Sequence, residues 1–196
     1  MLCDFELRRN WRNTNEIAES TCVASLTPLP ELSEVSGPQV RWVLLGPAKS
    51  ERLALNEEVH DALAAGISPR DLVVLSLAAE KRAIFASGLT IAGLKSVPFD
   101  AQTPWQEGTI RCASVFRFKG LESRAIILTD ISGFASDEQQ MAAYVGMSRA
   151  NTWLSVILSP AAFADLQSNR LRFPDLLGQS TITKSTDTFS AAHHEP

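Results

Sequence analysis

The sequence predicts an α/β fold, one parallel sheet flanked by helices, and two observations predict it. The runs Asp71 to Leu77 and Ala125 to Thr129 are almost continuously apolar rather than alternating, as strands covered on both faces are. Segments of helical period lie between such runs, and strands alternating with helices build parallel sheets with right-handed crossovers. At 196 residues the chain is long enough for one domain with a real core.

Asn13 to Ser20 reads as a short helix, with Asn13 or Thr14 as N-cap and Glu16 in the first turn. Thr27 to Pro38 contains three prolines and a glycine and reads as an extended linker. Val40 to Leu45 is a strand. Ser50 opens a helix with Leu53, Leu55, Val59, Leu63 and Ala64 on one face, closed by Gly66. After the strand at Asp71 to Leu77 a helix is expected over Ala79 to Ser87. Ile110 to Val115 and Ala125 to Thr129 are further strands, Ser136 caps a helix reaching about Arg149, and Trp153 to Leu158 is a last strand. From Gly178 onward Ser, Thr, Ala and His dominate without periodicity, which predicts a disordered C-terminal tail. The expected organisation is 1–26 leading into the domain, a linker at 27–38, the α/β domain at 39–176 and a flexible tail at 177–196.

Composition narrows the function. A net charge of −4 argues against a freestanding, charge-driven nucleic-acid binder, though not against contact through a local patch. No apolar run reaches the ~18–20 residues that span a bilayer, and the N-terminus lacks the pattern of a secretory signal. Cys3, Cys22 and Cys112 have no CxxC spacing, so neither a zinc site nor a disulfide framework is expected, and the setting is read as cytoplasmic. No GxGxxG occurs, and no Ser-His-Asp or Cys-His set is apparent. His60 sits mid-helix, and His193 with His194 is too isolated for a metal site. Trp42, Trp105 and Trp153 are read as packing residues before base-stacking ones. Gln139 and Gln140 are read as the solvated face of their helix.

Three short motifs carry the chemistry. Asn10-Trp11-Arg12-Asn13-Thr14, with Ile17, places an arginine at a helix start, where its planar fork can meet phosphate oxygens with two hydrogen bonds. Ser114-Val115-Phe116-Arg117-Phe118-Lys119-Gly120-Leu121-Glu122 follows a strand, and Gly120 supplies free backbone geometry for a turn that projects polar groups beyond the carboxyl edge of the sheet. Tyr144-Val145-Gly146-Met147-Ser148-Arg149-Ala150 ends a helix on an arginine. Taken singly, Arg12 is an exposed arginine, Lys119-Gly120 a surface turn and Arg149 a cation near a helix C-terminus.

In that order the three resemble motifs IV, V and VI of superfamily 1 DNA helicases of the UvrD/Rep type, over roughly residues 5 to 160. In that family all three belong to the second of two RecA-like domains. The resemblance implies that Arg12 and Arg149 act on the γ-phosphate of ATP, Arg149 as an arginine finger. It implies that Glu122 holds the ribose at the turn made by Gly120, and that Ser114, Phe116 and Lys119 face single-stranded DNA. Phe116 departs from the family's histidine: it can stack on a base but cannot donate to phosphate. No GxxxxGK[ST] and no Walker B acid pair occur, so ATP and Mg2+ are expected to be shared with an N-terminal RecA-like domain, either preceding Met1 in cis or supplied in trans. About a hundred residues separate motifs IV and V, which leaves no room for the large insertion of UvrD and Rep themselves.

The expectation is therefore a RecA-like domain serving as half of an ATP-dependent helicase or translocase, inactive alone, with single-stranded DNA as track. The rival of another class is a non-catalytic interaction or regulatory module derived from a helicase. A small-ligand binder of flavodoxin-like shape is a second rival, disfavoured by the motif order.

Overall fold

The computed structural model describes residues 10–47, 49–79, 83–85, 88–173 and 182–184. Helix α1 (Asn15–Ser25) starts after Thr14 in an extended conformation and stops at Leu26, whose φ of 52° is left-handed. It turns Ile17, Val23 and Ala24 into the core. Within 27–38 there is no helix or ladder, only an isolated bridge at Glu31; the prolines there have no N–H to give to one. Strand β1 (Arg41–Leu44) leads into α2 (Glu51–Ala64), whose Ser50 hydroxyl accepts the Leu53 N–H. The helix closes as expected at Gly66 (φ 85°), with Ile67 N–H bonded to Ala62 O and Gly66 N–H to Leu63 O.

The buried stripe of α2 differs from the one expected. Ala54, Leu55, Glu58, Val59 and Ala62 face the sheet, while Leu53 and Ala64 are exposed. The reason is a charge with a partner. Arg41 on β1 donates to both oxygens of Glu58 (2.7 and 3.0 Å) and to Asp61 (2.5 Å), and stacks over Trp153. A carboxylate matched by a two-pronged guanidinium can lie on a buried face that an apolar count assigns to leucine.

A short 3-10 turn (Pro69–Asp71) precedes β2 (Leu72–Ser76), buried throughout. The helix expected over 79–87 falls largely outside the described residues; Ala83 N–H reaches Ala79 O, and 83–85 form turns. An unexpected antiparallel hairpin follows, β3 (Thr90–Ile91) and β4 (Leu94–Pro98), turning at Ala92 and Gly93, both with positive φ. Then come β5 (Thr109–Ser114), β6 (Ser123–Ile131), α3 (Asp137–Met147) and β7 (Ala150–Leu158). Helix α4 (Pro160–Arg170), not expected from the sequence, is capped by Ser159 with proline in its first turn. The expected tail lies outside the described residues except for β8 (Ile182–Lys184), a short strand beside β1 where none was expected.

The strands form one sheet in the order β3-β4-β5-β2-β6-β7-β1-β8, parallel except at the β3/β4 hairpin. One face carries α1, α3, α4 and the segment 115–122, burying Ile17, Phe118, Phe134, Met147 and Leu166. The other carries α2 and buries Leu55, Val59, Ile91, Ile110 and Ile127. Gly146 sets the closeness of α3, since a Cβ there would come within 2.9 Å of Leu128 and 3.1 Å of Val115.

Candidate functional site

Strands β6 and β7 start side by side, Ser123 opposite Ala150, with the Ser123 N–H on Arg149 O at 3.0 Å. The residues just before them, Glu122 and Arg149, therefore meet at the amino edge of the sheet. The Arg12 loop is brought to the same place by amide side chains. Asn10 Oδ1 accepts the N–H groups of Arg12 and Asn13 (3.2 Å each), and Asn10 Nδ2 donates to Asn13 O at 2.9 Å, which fixes a local turn. Asn13 Nδ2 donates to Ser148 O (3.1 Å) and to Ala150 O, straddling Arg149. The Thr14 N–H reaches Asn151 O at 3.2 Å.

Arg12 Nε donates to Glu122 Oε1 at 2.5 Å. Asn151 Nδ2 donates to Glu122 Oε2 at 3.1 Å and to Arg12 O at 3.3 Å. Arg149 donates from Nε to Val145 O (3.0 Å) and from Nη2 to Ser148 Oγ (3.3 Å). Burial, and then the neighbouring charge of Arg12, hold the Arg149 guanidinium below its ordinary value, with Glu122 and Tyr144 opposing. It stays protonated regardless, as arginine does. Two guanidiniums and one carboxylate leave the cluster with one net positive charge, suited to an anion. The Arg12–Glu122 pair is half exposed (46% and 40%), so its contribution is to geometry more than to stability.

Beside the cluster lies a cavity of about 940 Å³. The 10–13 loop, the segment Thr27–Glu31, Glu122, Tyr144 and Ser148 form much of its wall; Arg149 does not line it. That is toward the upper end of the ~300–1,000 Å³ typical of small-ligand sites.

The rest of the second motif goes elsewhere. Ser114 is level with Ser76 of β2 and Thr129 of β6, at the carboxyl edge. From there 115–122 runs back across β2 to the start of β6. The expectation that this whole turn projects beyond the carboxyl edge is therefore corrected: it holds for Ser114, while Glu122 lies at the opposite edge. Two parallel strands flanking a third require the connection to return the length of the sheet. Ser114 is buried, and its Oγ accepts the Arg117 N–H at 3.4 Å. Phe116 is 64% exposed, and Lys119 is exposed too. Phe118 is fully buried, edge-on to Phe99 with ring centres 4.8 Å apart. Gly120 has a φ of 84° with nothing near the position of a Cβ, so the backbone alone demands glycine there.

The structure thus brings Arg12, Glu122 and Arg149 together and keeps Ser114 at the opposite edge, with Phe116 and Lys119 exposed on the segment between. Gln139 and Gln140 are not simply a solvated face. Gln139 completes a capping box with Ser136, and Gln140 donates to Phe134 O. Trp42 is buried, and Trp105 and Trp153 donate to Thr109 O and Ser155 Oγ. Burial raises both described cysteine thiols, Cys112 to about 12. Sequence reasoning read Asn13 as an N-cap candidate and a position of the first motif, where the structure makes Thr14 the cap, and it assigned no role to Asn151. The available signal was Asn151 itself, an asparagine inside a strand, where that residue is depleted.

No protein-family description matches the chain, and neither does any curated protein. Among solved structures, it is similar to the C-terminal domain of a possible DNA helicase from Lactobacillus plantarum WCFS1. The two superpose with a TM-score of 0.58 over 82% of this chain and 96% of that one, at 20% identity. The C-terminal part of the Fun30 ATPase domain aligns over 74% of this chain and 51% of that one, with a TM-score of 0.39 and 13% identity, too loosely to bear on the fold. The first likeness gives this chain a RecA-like α/β fold.

Proposed function

We propose that the chain is the second RecA-like half of an ATP-dependent DNA helicase or translocase of the UvrD/Rep kind. One observation carries this reading: Arg12, Glu122 and Arg149, drawn from three motifs more than twenty residues apart in sequence, converge at one edge of the sheet beside a cavity. In this reading ATP lies between that edge and a first RecA-like half that holds the phosphates and the Mg2+ ligands. Among the described residues, no cluster of His, Cys, Asp and Glu is placed to hold a metal ion, so the proposal assigns none to this chain.

Arg149, already oriented by Val145 O and Ser148, stabilises charge developing on the transferred phosphoryl group. Arg12 acts on the same group with its terminal nitrogens, and Glu122 accepts from a ribose hydroxyl. Hydrolysis lets the two halves part, and Ser114 at the other edge, with Phe116 and Lys119 on the segment leaving it, follows single-stranded DNA. The proposed setting is the cytoplasm; no described helix is long and apolar enough to cross a membrane.

The test is ATP turnover by the chain joined to a Walker-motif half, with and without Arg149→Ala. Loss of turnover with folding intact supports the motor. Unchanged behaviour overturns it in favour of the interaction module.

A further inference from the structure

We infer that Asn151 is a positioning residue of the nucleotide site, holding Glu122 and the Arg12 loop in one fixed relation. The inference rests on the reading of that edge as a nucleotide site. Its own observation is a closed ring of hydrogen bonds. Glu122 Oε1 takes Arg12 Nε, Glu122 Oε2 takes Asn151 Nδ2, and Asn151 Nδ2 returns to Arg12 O. The Thr14 N–H on Asn151 O ties the same residue to the start of α1. One asparagine therefore contacts the loop of the first motif by its carbonyl and by its amide, and the end of the second by its amide alone.

The ring leaves useful groups free. Glu122 engages only the Nε of Arg12, and among the described residues no acceptor is bonded to the two terminal nitrogens of that guanidinium. An arginine held at Nε presents its terminal pair in a fixed direction, which is the preorganisation a phosphate site needs. Glu122 in turn is rotationally fixed by two donors, so its remaining lone pairs point where a hydroxyl must approach. Asn151 touches neither phosphate nor ribose in this arrangement; it acts through Glu122 and Arg12.

An isosteric apolar substitution, Asn151→Leu, removes both donations while keeping volume. NMR of the full chain gives two readouts. In the absence of nucleotide, the Arg12 Nε–H resonance should exchange slowly with water in the parent, and at least several-fold faster in Asn151→Leu, with backbone amides of the sheet unchanged. With the chain joined to a Walker-motif half and titrated with MgATP and with magnesium tripolyphosphate, which lacks a ribose, Asn151→Leu should weaken ATP about three- to tenfold, the effect of one lost hydrogen bond. Its tripolyphosphate affinity should fall by less, since that ligand loses the fixed direction of Arg12 but has no ribose for Glu122, while Arg149→Ala weakens both. Restoring a donor with Asn151→His should recover part of the ATP affinity.

An Arg12 Nε–H unaffected by Asn151→Leu overturns the inference whatever the nucleotide does. An ATP affinity unchanged by Asn151→Leu overturns it as well, and so does equal weakening of both ligands, since Glu122 would then not depend on Asn151. If Arg12 is released but neither ligand perturbs Arg12 or Arg149 in the joined parent, the nucleotide reading itself falls, and Asn151 with it is reduced to a structural tie.

Discussion

The amino edge and the carboxyl edge of this sheet share one stretch of sequence and treat it in opposite ways. At the amino edge the Arg12 loop and Glu122 are held by Asn10, Asn13 and Asn151, and Arg149 by Val145 O and Ser148 Oγ. On the segment that leaves the carboxyl edge, Phe116 and Lys119 stand out from the surface, on turns in which Phe118 N–H reaches Ser114 O and Lys119 N–H reaches Phe116 O. From the level of Ser114 to that of Glu122 is roughly 20 Å along the strands. A site that must stabilise charge needs fixed dipoles. A surface that grips and releases a polymer can work with exposed aromatic and cationic groups.

The contrast can be broken most sharply at Arg149. With the chain joined to a Walker-motif half, Arg149→Ala should lower ATP turnover by about 10³-fold or more, the lower range for arginine fingers. Single-stranded DNA affinity without nucleotide should not change. Phe118→Ala strikes the segment joining the edges. Emptying a fully buried ring at the Phe99 contact should cost about 3–5 kcal/mol in denaturant unfolding and impair both edges together.

Those two variants also show how much was legible in advance. The α/β class, the caps at Ser50 and Ser136 and the strands around Leu72–Ser76 and Ser123–Ile131 follow from local pattern. The convergence of the three motif residues follows from resemblance alone. What local reasoning missed is non-local. That β5 and β6 flank β2, so that Ser114 and Glu122 part company, is a property of strand order and is written in no single motif. Glu58 went unread because an apolar count cannot see Arg41, seventeen residues back in the chain, supplying its partner. Helix α4 buries little beyond Ala162, Leu166 and Asn169, and the β3/β4 hairpin turns on Ala-Gly rather than Asn-Gly. Neither has a strong periodic signal.

Smaller effects sharpen the comparison further. Phe116→Ala should weaken single-stranded DNA by about 1–3 kcal/mol, the value of one stacked base, and leave ATP turnover without DNA untouched. Glu122→Gln should shift unfolding stability by less than about 1 kcal/mol, because its ion pair is half exposed, while ATP affinity falls.

The smallest change is expected at Glu51. Burial raises its carboxyl above the ordinary range, the hydrogen bond it accepts from Asp130 N–H opposes this, and the Asp130 charge adds to it. A carboxyl that holds its proton more tightly folded than unfolded costs stability as pH rises from its unfolded value through its folded one. Glu51→Gln keeps an acceptor for the Asp130 N–H and removes that cost. It should raise the unfolding midpoint slightly at pH 7, by an amount that shrinks as the pH falls through the carboxylate range. Midpoints at pH 4, 5.5 and 7 would check it.

Strand β1 lies between β7 and β8, and its register partners in β7, from Arg41 with Ser155 to Leu44 with Leu158, are made more than a hundred residues later. During synthesis at about 5–20 residues per second, Trp42 and Val43 wait roughly 5–20 s for the strand that buries them. Arg12 waits nearly as long for Glu122. Until then β1 has α2 against one face but lacks its β7 partner, and Arg12 lacks its carboxylate. Pairing at this side of the sheet is therefore a late event in the synthesis of the chain.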